Sequence, residues 1–364
     1  MRSKKGPRDP RKLPYRDAPG IVPKELVGAA FPCESCGKNI EVQWLEKLTF
    51  PSQPTEPNSG GGHWVPVSIP LRCKAENCGQ ETSVNVPIKE IDAVWTLYGD
   101  EAGRYIDRPH RSRSKEALNF FCITLVGLHK DSWDSVKQHI LEAKASIKPN
   151  EAPESWEHHF KDIWHSSPDN NEFELTSKQE KIDYARRFSK IIREARPALV
   201  SFNISSCIVV PKDSKDRKKA INWQKQEMFS QAILFSLQQM RNYKKGVGWV
   251  FDNVKDASSK TPTEGWASEC FLGLQYTRLF TWLSAGTTTL EPRFVKPGSH
   301  FLLEISDFIS YCVAREFQLT MEKKPIEFHS SDLGMALYQS TIGDGSVRYK
   351  WSSGLPIAEF YGVH

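Results

Sequence analysis

From residue 91 onward, apolar positions recur in two rhythms. Continuous apolar runs at 93–98, 120–128, 198–210, 247–254 and 287–295 read as buried strands. Between them, apolar residues return every three or four positions. Trp133, Val136, Ile140 and Leu141 set a helix over 132–147, with Asp131 or Ser132 placed to cap it. Ser177 and Glu180 have the spacing of a capping box ahead of Ile182, Ala185, Phe188 and Ile192, and that helix should stop near Pro197. Further helices are predicted over 222–243, 265–284 and 299–317. Strands alternating with helices of this length predict an α/β domain, a central sheet with helices on its faces. The tail after Thr320 has no readable period and is expected to be irregular.

Ahead of residue 91 the pattern is shorter and broken. Strand-like stretches at 40–44 and 63–71 flank a turn-rich segment at 50–62, and two cysteine pairs bracket them. Cys33 and Cys36 form a Cys-x2-Cys pair, Cys73 and Cys78 form a second pair, and a glycine follows each. A tight turn brings two thiolates to one side, and glycine relieves the strain of that turn. A lone Cys-x2-Cys could equally serve redox chemistry, but two spaced pairs favour a zinc ribbon, with His63 a weaker substitute ligand. Four thiolates leave zinc no open position, so the metal should be structural. Cys122, Cys207, Cys270 and Cys312 lie in apolar runs and read as buried thiols of a reducing compartment. The expected organisation is a flexible basic arm over 1–24, the ribbon over 25–90, the α/β domain over 91–320 and a C-terminal extension over 321–364.

With 39% hydrophobic and 26% charged residues, the chain has ordinary globular composition and can bury a sizeable core. No apolar run approaches the about 20 residues of a membrane span, and no apolar core follows the charges at the start, so a cytoplasmic protein is expected. The net charge of +5 is crowded at the beginning, in Arg2, Lys4, Lys5, Arg8, Arg11, Lys12 and Arg16. Such an arm suits a phosphate backbone, although tails of this kind are often merely solvated.

Acids that interrupt apolar runs need compensation, because an ionised carboxylate beside a core is costly. Asp100 and Glu101 end the first strand, Asp252 lies inside the run 248–254, and Asp307 lies inside the last helix. If Asp100, Asp252 and Asp307 converge, their repulsion calls for Mg2+ or Mn2+, the arrangement of metal-dependent nucleases. Taken singly, each acid is as well explained by a cap, a turn or a surface ion pair. In the segment 155–164, His159 could orient a phosphate, ligate metal or carry a proton, and Lys161 and Asp162 lie beside it. Arg104, Arg108, Arg111, Arg113 and Lys115 follow the first acids, and Lys212, Lys215, Arg217, Lys218 and Lys219 form a second basic loop. Either could grip phosphates or be a solvated loop.

These residues carry a resemblance. Tyr98-Gly-Asp-Glu-Ala-Gly103 resembles the Asp-Glu-Ser-Gly opening of the domain of unknown function 3800 family. The run 121–128 is similar to that family's second strand, Glu157-x-His159 to its Glu-x-His element, Val250-Phe-Asp252 to its acid-ending strand, and 303–309 to its Leu-Gln-x-Ala-Asp-Leu-Ile helix. The likeness covers about residues 93–318 and leaves the ribbon outside. It implies an RNase H-like fold and a phosphodiester-cleaving metal site of Asp100, Glu101, Asp252 and Asp307. Ala102 stands where the family has serine and Glu304 where it has glutamine, which alters the hydrogen bonding behind the acids. Family members occur in bacteria, often beside mobile or defence genes, which extends the implication to phage defence.

The expectation is therefore a Mg2+- or Mn2+-dependent nuclease acting on RNA or DNA. Asp100, Asp252 and Asp307 hold the metal, Glu101 or Glu304 assists, His159 contacts substrate or transfers protons, and Arg104, Lys161, Arg111 and Arg113 bind substrate. The rivals are a non-catalytic binding or scaffolding protein that uses the ribbon for protein contacts, and a hydrolase of small phosphates.

Overall fold

The computed structural model describes residues 29–41, 68–85, 93–106, 116–167, 172–175, 177–212, 214–242, 245–252, 266–275, 280, 292–296, 298–327, 336–343 and 346–353. The basic arm, His63, Arg111 and Arg113 lie outside these residues. The chain divides into two compact units, one of Met1–Val94, Ile233–Gly248 and Ser268–Glu291, the other of Trp95–Ala232, Trp249–Ala267 and Pro292–His364.

In the first unit, β1 (Ala30–Pro32) pairs antiparallel with β2 (Asn39–Glu41), and β3 (Ser68–Arg72) with β4 (Glu81–Asn85). The sequence pattern expected strands only between the cysteine pairs; instead, each pair sits in the turn of its own hairpin. The backbone explains this. Gly37 at φ +71°, Gly79 at φ +59° and Asn77 at φ 65° adopt the left-handed conformation that folds the chain back around each pair.

Among the described residues, the larger sheet is mixed and has seven strands. In chain order they are β5 (Ala93–Ile106), β6 (Glu116–Leu128), β7 (Leu199–Pro211), β8 (Lys245–Asp252), β9 (Arg293–Val295), β10 (Ala336–Gly343) and β11 (Ser346–Ser353). Their order across the sheet is β11-β10-β7-β6-β5-β8-β9. β5, β6 and β7 are antiparallel neighbours, whereas β8 with β9 and β7 with β10 are parallel. The tail expected to be irregular therefore supplies the β10–β11 hairpin.

The helices are α1 (Trp133–Ala145), α2 (Phe160–His165), α3 (Lys178–Ala195), α4 (Ser214–Asn242), α5 (Trp266–Gln275) and α6 (Phe301–Met321). The capping box of α3 forms as its sequence predicts: the Glu180 N–H donates to the Ser177 hydroxyl and the Ser177 N–H to the Glu180 carboxylate. Lys215, Arg217, Lys218 and Lys219, expected in a loop, lie on the first turns of α4. Among the described residues, no helix is long and apolar enough to cross a membrane.

Alternation along β6 sorts the two faces of the sheet. Leu118, Phe120, Cys122 and Val126 face the core that contains α6; Phe120 stacks on Phe317 at 4.3 Å and the Cys122 thiol meets the Ser310 carbonyl at 3.6 Å. Asn119 faces α4, and its amide donates to Gln224 at 2.7 Å. On its far side α6 meets a second layer, with Phe308 against Phe160 at 4.6 Å and Phe188 at 4.7 Å. A helix covered on both sides is buried nearly all round, and from Phe301 to Phe317 every residue is buried except Asp307 and Arg315.

β5 is longer than its apolar run suggests. It continues to Ile106 in register with β6, so Asp100 and Glu101 lie inside the strand and not at its end. Gly99 permits this, because a Cβ there would come within 2.6 Å of the Phe251 ring and 2.8 Å of Leu125. The substitution Gly99→Ala is expected to destabilise the fold by about 1–3 kcal/mol, since overpacking displaces both neighbours. Urea denaturation of the pair checks this; equal midpoints would show that the site has room to spare.

Candidate metal centre and carboxylate site

The two hairpins of the first unit bring four thiols together. Cys33 Sγ lies 3.7 Å from Cys78 Sγ, Cys36 Sγ lies 3.6 Å from Cys73 Sγ, and all four sulfurs fall within 4.8 Å of one another. Zinc–thiolate bonds of about 2.3 Å give a tetrahedron with edges of about 3.8 Å, so the donors fit a zinc-sized ion. The electrostatics agree. Backbone N–H groups of Cys36 and Ser35 bring the Cys33 thiol down to about 7. At Cys73 the Ala75 N–H also lowers the value, but burial and the three neighbouring thiols carry it up to about 12. Four thiolates at this separation need a cation.

The carboxylate site lies in the second unit, between β5 and α6. Asp100 points to the α6 face, and its backbone is tied to that helix: the Ser310 hydroxyl donates to the Asp100 carbonyl at 3.0 Å. The same hydroxyl lies 2.8 Å from Thr124 Oγ1, which accepts from the Asn203 amide at 2.6 Å. Burial raises the Asp100 carboxyl well above the usual carboxylate range, and the charges of Asp307 and Asp252 raise it further. Asp100 therefore sits within electrostatic reach of both Asp307 and Asp252. Asp252 closes β8, the neighbour of β5.

Asp307 is held from the second layer. His159 Nδ1 lies 3.1 Å from its Oδ1, and the Phe160 N–H donates to its Oδ2 at 2.8 Å. Each oxygen keeps a lone pair for another partner. The hydrogen bond to Asp307 pushes the His159 imidazole up to about 9 against the cost of burial, so at neutral pH it is an imidazolium.

Other residues separate from this group. Glu101, next to Asp100, points to the opposite face by strand alternation and pairs with Lys225 of α4 at 3.7 Å. Glu304 is buried and bound to Lys144 at 2.6 Å, with side-chain exposures of 4% and 3%. Burial raises its carboxyl while Lys144 opposes the rise. Lys144 also donates to the Trp156 carbonyl at 2.7 Å, and Glu304 accepts from the His158 N–H at 3.2 Å. This pair fixes the loop that carries His159. His158, its neighbour, is buried against Phe188 at 4.6 Å, bonded to Tyr184 at 2.7 Å and pulled down to about 3 by burial, which suits a core residue.

Glu157, named in the sequence only as part of the Glu-x-His element and given no role there, lies within electrostatic reach of Asp307. Its carboxyl is raised by burial and by the Asp307 and Asp162 charges, while His159 and Lys296 lower it. Gly298, at φ +68°, makes room for it, since a Cβ there would meet the Glu157 Cβ and Cγ at 2.8 Å. The available signal was its position two residues before His159. Arg104 lies over the Tyr311 ring at 4.9 Å, on the same face as Asp100, and Lys161 is exposed on α2. Among the described residues, the four cysteines alone bring three or more metal-binding side chains within 4.8 Å of one another; the acids are spread more widely.

Comparison with protein-family models, with curated proteins and with solved structures finds no match. Fold and site together define a mixed α/β protein with a four-thiol centre fit for zinc.

Two outcomes test these centres. Metal analysis should find zinc in the purified chain and little of it in Cys73→Ser, whereas Cys207→Ser should retain it. In metal-free protein, the His159 ring should titrate near 9 by NMR and return towards 6.5 in Asp307→Asn. A folded value above the unfolded one means that this contact stabilises fully below about 6.5 and is lost as pH rises through about 9.

Proposed function

We propose that the chain is a divalent-metal-dependent nuclease of RNase H-like fold, as its resemblance to the domain of unknown function 3800 family implies. The observation that carries this reading is that Asp100 feels the charges of both Asp307, from a helix, and Asp252, from a second strand. The strand order β7-β6-β5-β8-β9, an antiparallel triplet continued by a parallel pair, supports the same fold.

Asp100, Asp252 and Asp307 would hold Mg2+ or Mn2+, with Glu157 in electrostatic reach of Asp307. Carboxylate oxygens suit these hard ions. A bound ion there supplies Lewis acidity towards a phosphodiester and lowers the pKa of water. The protein's own groups do the rest. His159 orients Asp307 and, as an imidazolium, can donate a proton to a leaving oxygen. The Ser310–Thr124–Asn203 chain keeps Asp100 in register with α6. Arg104 and Lys161 supply positive charge beside the acids.

Incubation of the purified chain with labelled RNA and DNA and Mn2+ tests the proposal. Wild type should cleave one of them, while Asp100→Ala and Asp307→Asn should lose roughly a hundredfold or more. Equal rates in all three would reject it. Binding that survives loss of the acids but not Cys33→Ser would favour a scaffolding protein.

A further inference from the structure

The cations beside the acids are not scattered. Between Phe301 and Phe317, α6 opens outward only at Asp307 and Arg315. Tyr311 lies midway between them and is buried, with the Arg104 guanidinium 4.9 Å from its ring and its hydroxyl 3.1 Å from His165 Nε2. Lys161 and His165, one turn apart on α2, are both exposed. Arg315 lies over the Trp164 ring at 4.6 Å. Lys181 donates to the carbonyls of Trp164 and Ser166, which holds the end of α2 in place.

These groups form a line. Each four-residue step on α6 advances about 6 Å, so Asp307, Tyr311 with Arg104, and Arg315 mark three points over about 12 Å. That step is comparable with the separation of neighbouring phosphates in a nucleic-acid strand. Burial first, and then the charges of Arg315, Arg104, Lys161 and Lys181, lower the His165 imidazole, so all four cations lie within electrostatic reach of this ring. Arg315 keeps a 3.4 Å contact with Glu327, itself paired with Lys178 at 2.7 Å, so a phosphate arriving there competes with one shared carboxylate.

We infer that Lys161, Arg104, His165 and Arg315 form a phosphate track leading away from the carboxylates along α6, so that the substrate is a polynucleotide strand and not a mononucleotide. The inference rests on the nuclease reading for the acids at its end, but the track itself is a binding surface and can be tested without turnover.

The probe is a fluorescently labelled single-stranded oligonucleotide, bound to the full chain carrying Asp307→Asn over a range of salt concentrations. Each phosphate neutralised in a single strand contributes about 0.7 to the slope of log affinity against log salt. Arg104→Gln, Lys161→Gln and Arg315→Gln should each lower the slope by about that amount, and Lys190→Gln, exposed on α3, should not. Binding of a mononucleotide should be unchanged by Arg315→Gln. Lys161 is exposed, so its variant keeps the test decisive if Arg104→Gln fails to fold. Slopes for Arg104→Gln and Lys161→Gln equal to that of Lys190→Gln would overturn the track. Cleavage by wild type with unchanged slopes would remove the track and leave the nuclease; lowered slopes without cleavage by wild type would do the reverse.

Discussion

The architecture of the second unit depends on one constraint, the enclosure of α6 between the sheet and an outer layer of helices. A helix covered on both sides has few positions for polar groups, and each one it carries must be matched. Glu304 is matched by Lys144 and the His158 N–H, Ser310 by the Asp100 carbonyl, and Tyr311 by His165. Asp307 is matched by His159 and the Phe160 N–H, yet it also faces Asp100 across the seam with the sheet. The helix that organises the core thus also concentrates negative charge at one place.

The order of strands and helices was legible because long apolar runs and helical spacing dominate this chain. The capping box at Ser177 and both cysteine pairs were equally clear, since their signals are local. What escaped the sequence was mostly non-local. The strand of Asp100 and Glu101 looked finished at Gly99, because glycine usually marks a turn; here it marks a close approach by Phe251 that no linear pattern announces. The basic stretch at 215–219 read as a loop because charge outweighed helical periodicity. His158 and His159 are adjacent and chemically alike, but only the packing of Phe188 and Tyr184 separates a core imidazole from one that meets an acid.

The two sites differ in their donors. Four thiols within 4.8 Å of one another suit a soft or borderline cation such as zinc, whereas the carboxylates are spread more widely. Lys144 and Glu304 illustrate a related division. An ion pair so buried adds little net stability, but removal of either member would strand a charge, so it serves best to fix the loop that presents His159.

The paired acids of β5 carry a last consequence. Because neighbouring side chains of a strand leave by opposite faces, slippage of β5 by one residue would exchange Asp100 for Glu101 and send the longer carboxylate towards α6. The chain therefore encodes a choice between two acids in alignment alone. The ladder from Tyr98 with Val126 to Ile106 with Leu118 enforces that choice, and the bare Cα of residue 99, nested against an aromatic ring, acts as its notch.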